Sequence, residues 1–191
     1  MELQHVNVKV FLAQPSDLDL GALIPVFHDW IARQVCEELL LDVADYRHVP
    51  AGPGVVLIGY QADYAVDNTD GRLGVRYNRK VALEGNNQDR LRQAARAALG
   101  ALERLQADAR LGGKLRAGGN EIEVFINDRL LAPNTDATRR EAGPELQAFF
   151  DNLFRESVLL TFAPDPRRLF SATAKASRAF SSAELLANLN S

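Results

Sequence analysis

Residues 55–80 constrain the fold more than any other part of the chain. Asn68-Thr69-Asp70-Gly71 is a strong turn signal between two runs rich in Val, Tyr and Leu. If those four residues form the loop, Asp67 faces Arg72 and Asp63 faces Arg76 on one side of a hairpin. The other side then pairs Val66 with Leu73 and Tyr64 with Val75. One face collects opposite charges and the other apolar groups, as cross-strand pairing favours, and a slip of one residue destroys both patterns. A two-faced antiparallel ribbon of this kind needs a cover on its apolar side, and the rest of the chain supplies helices.

Leu20–Val35 places Leu20, Leu23, Phe27, Trp30 and Ile31 on one helical stripe, with Pro25 expected in the first turns. Asn87–Leu111 is a second, longer stripe of Leu and Ala, with Asn86 or Asn87 to cap its start and Gly112-Gly113 to end it. Pro144–Phe154 is a third, carrying Leu146, Phe149, Phe150, Leu153 and Phe154. Val6–Ala13, Leu39–Ala44, Glu121–Asn127, Ser157–Ala163 and Leu169–Ala174 read as strands.

Aligning Pro25 with Pro144 needs no gap through Ala44 and Ala163. Phe27, Trp30, Ile31 and Val35 then fall on Leu146, Phe149, Phe150 and Phe154, and Leu39-Leu40-Leu41 on Val158-Leu159-Leu160. The expected fold is α+β: an internal duplication of a β-α-β-β unit, a mostly antiparallel sheet, and helices on one face. The expected organisation is a single domain over residues 1–176, with pseudo-repeats at about 5–80 and 120–176 joined by the helix at about 87–111. A tail follows at 177–191, where Ser181 and Glu184 have capping-box spacing ahead of Leu185, Leu186 and Leu189. It reads either as a short helix docked on the body or a second subunit, or as a frayed terminus.

Composition narrows the function classes. The net charge of −3 is split, with −5 in residues 1–85 and +2 in 86–191, too little in either part to hold nucleic acid by charge alone. No apolar run approaches the roughly 20 residues that span a bilayer, so no membrane is expected. The start, Met1–Val10, lacks a basic region followed by an apolar stretch, so no secretory leader is expected. The one cysteine, Cys36, cannot form an internal disulfide; the expectation is a semi-buried thiol in a reducing, cytoplasmic setting.

The most polar stretch follows the second expected strand. Asp42, Asp45, Tyr46 and His48 lead into Gly52-Pro53-Gly54, and His28 from the preceding helix is a fifth candidate. Imidazole and carboxylate there are metal-ligand types, and Asp42 would serve as an acid or base if its face lay buried under the helices. Gly52-Pro53-Gly54 is either a tight turn or a close-approach anion site. Arg167-Arg168 is either a solvated turn or a docking point for an acidic partner. No nucleophile elbow, His-Glu-x-x-His, Cys-x-x-Cys, EF-hand or P-loop occurs. The reading that follows is a soluble, non-enzymatic binding or assembly protein, self-associating or binding a protein partner. The alternative is a metal-dependent or acid/base enzyme using Asp42, Asp45, Tyr46 and His48, and a further one is small-ligand binding near Tyr60 and Tyr64. No cofactor is indicated by any motif.

Overall fold

A computed structural model describes residues 1–14 and 16–190. Its strands are β1 (Val6–Leu12), β2 (Leu40–Tyr46), β3 (Gly54–Gly59), β4 (Ala62–Asp67), β5 (Gly74–Arg79), β6 (Ala117–Ile126), β7 (Leu159–Phe162) and β8 (Phe170–Lys175). Its α-helices are α1 (Leu23–Arg33), α2 (Asn87–Ala107), α3 (Asp136–Phe154) and α4 (Ser182–Leu189). The eight strands form one antiparallel sheet in the order β2-β3-β4-β5-β1-β6-β8-β7, so the fold is α+β as expected.

Side-chain alternation separates the two faces across the whole sheet. One row runs Val43, Leu57, Tyr64, Tyr77, Val8, Val124, Ala172, Phe162 and lies under the helices. The next row runs Ala44, Val56, Ala65, Arg76, Lys9, Glu123, Thr173, Thr161 and points away from them. The sequence of β1 shows why: Val6, Val8, Val10 and Leu12 join the core, while Asn7, Lys9 and Phe11 supply the opposite face.

Local chemistry sets the helix ends. In α2, the Asn86 side chain accepts from Asp89 N and the Asp89 side chain accepts from Asn86 N, a complete capping box. Pro25 is the third residue of α1, where a missing N–H costs no helical bond. Pro144 differs. The helix begins at Asp136, capped by Thr135, so Pro144 lies inside α3 and not at its start. The Thr135 cap and the Asp136-containing first turn nucleate the helix upstream of the apolar stripe, and the aromatic face of Phe149, Phe150 and Phe154 holds it through the proline.

The two prolines thus occupy different helical positions. The strand orders are alike, since β1-α1-β2-β3 and β6-α3-β7-β8 each send the strand after the helix to a sheet edge and bring the next one inward. The β4–β5 hairpin between β3 and β1 has no counterpart in the second unit.

The segment expected to be one hairpin contains three strands. β4 and β5 pair as Asp67↔Gly74, Val66↔Val75 and Tyr64↔Tyr77, two residues from the expected register. A two-residue shift preserves which side chains share a face. It changes partners: Asp67 binds Lys9 and Arg76, Asp63 binds Lys80, and Arg72 binds Glu121.

The tail docks on its own chain. Ser181 and Glu184 form the capping box of α4, Leu185 and Leu189 are buried, and Phe180 lies edge-to-face on Phe154 at 5.4 Å. Asn188 Nδ2 donates to Leu153 O at 2.9 Å. Ser191 lies outside the described residues.

Candidate functional site

The segment singled out in the sequence lies on the edge strand β2 and the turn after it. Asp42 and Tyr46 point to the helix-free face, and Asp45, one step out of phase, points to the other. Asp42 is exposed and accepts from the N–H of Val43 at 2.7 Å. The burial that an acid/base role for Asp42 requires is not found. Asp45 takes the Arg47 side chain and backbone N–H, and these bonds hold its carboxyl down at about 2. Tyr46 and His48 have ring centroids 6.4 Å apart. His28 sits on α1 with Nδ1 2.8 Å from Ile24 O. Among the described residues, no three His, Cys, Asp or Glu side chains are placed to share a metal ion. Gly54 has φ +68°, and a Cβ there would stand 2.1 Å from Val66 O. That glycine serves the close approach of β4, so the Gly52-Pro53-Gly54 turn is explained by packing.

A different set of residues converges. The helix-free face forms the floor of a cleft of about 500 Å³, overhung by the loops at 68–73 and 163–169. Six cationic side chains line it: Lys9, Arg72, Arg76, Arg129, Arg167 and Arg168. Asp67, Asp70 and Glu123 are the carboxylates there. Thr161, Thr173 and Ser171 add hydroxyls from β7 and β8.

The centre of the cleft is a buried charge network. Lys9 Nζ donates to Asp67 Oδ1 at 2.6 Å, and Arg76 Nη1 donates to Asp67 Oδ2 at 3.1 Å. Thr69 N and Thr69 Oγ1 each add a bond to Asp67 at 2.9 Å. The Lys9 and Asp67 side chains are 4% and 1% exposed, which takes this pair out of the weak class of surface ion pairs. Burial lowers the Lys9 ammonium's hold on its proton by more than Asp67 restores it. Burial alone would raise the Asp67 carboxyl, but Lys9 and Arg76 override it and hold it below the usual carboxylate value.

Two guanidiniums lie over phenyl rings in the same cleft, Arg72 at 3.7 Å from the Phe11 centroid and Arg76 at 4.3 Å from that of Phe125. Arg76 Nε is buried without a hydrogen-bond partner among the described residues. Arg168 pairs with Asp70 and Arg167 with Asp165 at the overhang. Arg129, just past β6, makes no ion pair or side-chain hydrogen bond among the described residues. The cleft is therefore a pre-formed cationic surface with fixed guanidinium planes and, among the described residues, one uncommitted cation.

One signal for this site was present in the sequence. Lys9 alternates with Val8 and Val10, so it had to face away from the core. What the sequence lacked was its neighbours: β5 and β6 flank β1, and only that order sets Arg76 and Glu123 beside Lys9. No helix of the described residues is long and apolar enough to cross a membrane. No family model matches the chain, and a comparison with curated proteins finds no significant match.

Proposed function

We propose that this is a non-enzymatic binding protein whose helix-free sheet face holds a small anionic ligand bearing carboxylate or phosphate groups. The supporting observation is the gathering of six cations in one cleft, with Arg129 uncommitted and the Arg72 and Arg76 planes fixed on aromatic rings. Guanidinium groups match carboxylate and phosphate oxygens two at a time, and a cleft of this volume falls in the ordinary ligand range of roughly 300–1,000 Å³. Arg167 and Arg168 reach the cleft from exposed positions, so a ligand can exchange with their present carboxylates. Nucleic acid fits less well. Phe11 and Phe125 are already covered by guanidiniums and are 6% and 7% exposed, so neither ring is open for a base to stack on.

Isothermal titration with citrate, pyrophosphate and a single-stranded oligonucleotide tests this. Saturable binding of a small anion, lost in an Arg129→Ala/Arg168→Ala variant, is the expected result. No heat with either small anion, or equal binding by the variant, refutes it; tighter binding of the oligonucleotide would transfer the cleft to nucleic acid. Self-association is a second reading, supported by exposed leucines at both sheet edges: Leu39 and Leu41 at β2, and Leu159 at β7. Sedimentation of wild type and Leu41→Lys separates a dimer from a monomer. The single cysteine supports a reducing, cytoplasmic setting.

A further inference from the structure

A second cavity lies on the other side of the sheet, independent of the cationic cleft. It measures about 560 Å³ and opens between the connection at 34–38, α2 and α4. Its floor is polar and buried. Glu38 is 4% exposed, and its two carboxylate oxygens accept from Tyr64 Oη at 2.6 Å and Tyr77 Oη at 2.7 Å. Tyr77 Oη also accepts from Gln93 Nε2 at 2.9 Å. Burial raises both phenols above their usual value, so each remains a donor to Glu38. With its O–H pointed at Glu38, Tyr64 Oη keeps a lone pair for a donor. Cys36, in the wall beside it, is pushed up to about 11 by burial and is uncharged near neutrality.

The rim carries the informative feature. Glu37 and Arg104 both line this cavity, and neither makes an ion pair or side-chain hydrogen bond among the described residues. One is on the connection before β2 and the other is on α2. Arg96, two turns back on the same helix, adds a second guanidinium, bonded to Asn190 Oδ1 at 3.1 Å. Ala97 and Gly100 lie between the two arginines and leave the helix surface low, and Val35 and Leu186 supply apolar contact. The cavity thus offers acceptors and negative charge on the connection side, and an apolar stretch that leads to two guanidiniums on the helix side, where the one carboxylate, Glu103, already accepts from Ser182 Oγ at 3.3 Å.

We infer that this cavity binds a small zwitterion, an amino acid or short peptide with free termini. The ammonium is taken by Glu37 and the Tyr64–Glu38 floor, and the carboxylate by Arg104 and Arg96. Opposite charges that leave each other unpaired across one cavity suit a ligand that bridges them, and each charge-assisted bond contributes specificity as well as affinity.

Cys36 reports on occupancy, since it is the one thiol of the chain and stands in the wall. Its alkylation by iodoacetamide is followed with and without Ala-Leu, and with N-acetyl-Ala-Leu-amide, which has the same side chains and no terminal charges. The free dipeptide is expected to slow the reaction in a saturable way and the blocked one to leave it unchanged. Arg104→Ala and Glu37→Gln, both exposed rim positions, are each expected to weaken protection about tenfold, the scale of one charge-assisted hydrogen bond. Equal protection by the blocked peptide, or no protection by the free one at saturating concentration, overturns the inference, as does full protection in both variants.

Discussion

Replacing Asp67 by Asn keeps the shape of the side chain and removes its charge, and the structure fixes what that should cost. Asp67 accepts four hydrogen bonds, from Lys9, Arg76, Thr69 N and Thr69 Oγ1. Without the carboxylate, the Lys9 ammonium is left 4% exposed, with the Thr69 carbonyl at 3.5 Å and the Arg76 cation nearby. Breaking a buried pair from one side costs about 3–5 kcal/mol, because the surviving charge is uncompensated. Lys9→Met is milder. Asp67 keeps Arg76 and both Thr69 bonds, so about 1–3 kcal/mol is lost, the value of one bond to a charged group. The double variant removes the buried charge from both sides and should be less destabilised than the sum of the two. Urea unfolding at neutral pH reads these differences through the midpoint and slope. In a chain of this size, 1 kcal/mol moves the thermal midpoint by about 2–4 °C, so Asp67→Asn should lower it by about 6–20 °C. A loss within about 0.5 kcal/mol, the range of an ordinary surface substitution, would refute the reasoning. So would a double variant as damaged as the two singles added together.

Four further outcomes follow from the same geometry. Asp70→Asn frees Arg168 of its partner and should tighten anion binding in the cleft several-fold by titration; unchanged affinity would remove Arg168 from the ligand set. Phe180→Ala leaves a hole against Phe154 and should cost about 3–4 kcal/mol in urea unfolding, undocking α4. Because Asp67 is held below its unfolded value of 3.8, its contribution is complete above that pH and is lost as pH falls through the lower folded value; acid unfolding of Asp67→Asn should be shallower than that of wild type. Cys36, at about 11 against 9.0 for a free thiol, should be alkylated about a hundredfold more slowly than a small thiol at pH 8, and a normal rate would show that it is not buried.

Periodicity and chemistry made different parts of this fold legible. The β4–β5 pair was readable as a two-faced ribbon because its alternation survives any even slip. For the same reason its register was not, and the choice fell to contacts outside the hairpin. Lys9 takes Asp67, and Asp70, at φ +61°, bends the longer turn. Both helix starts were local and legible: Asn86, one of two candidates to cap α2, and the Ser181–Glu184 box of α4 need only their own backbone, while the part Asp89 plays in the α2 box was not read. The start of α3 was hidden because Pro144 resembles a first-turn proline, and the Thr135 cap stands well upstream of the apolar stripe. Whether Asp42 lay buried or exposed was not legible, for a topological reason. Nothing in its neighbours distinguishes an edge strand from a central one, and β2 is an edge. The cleft was least legible, because its residues come from six strands and three loops that meet only in the finished sheet.

The position of β1 bears on the order of events at the ribosome. This strand precedes all the others in the chain, yet lies between β5 and β6 in the middle of the sheet. Five strands, β2-β3-β4-β5-β1, can zip together once residue 79 has emerged. Their open border is then β1 itself, an apolar strand destined for the interior, and it waits for a partner until residue 126 is made. At roughly 5–20 residues per second that interval lasts on the order of seconds. The segment synthesised meanwhile is α2, which packs on β1 and β5 and can shield one face of the half-sheet but not its border. Lys9, at the centre of that border, keeps a charge there during the wait, a deterrent to pairing with another nascent chain before β6 arrives.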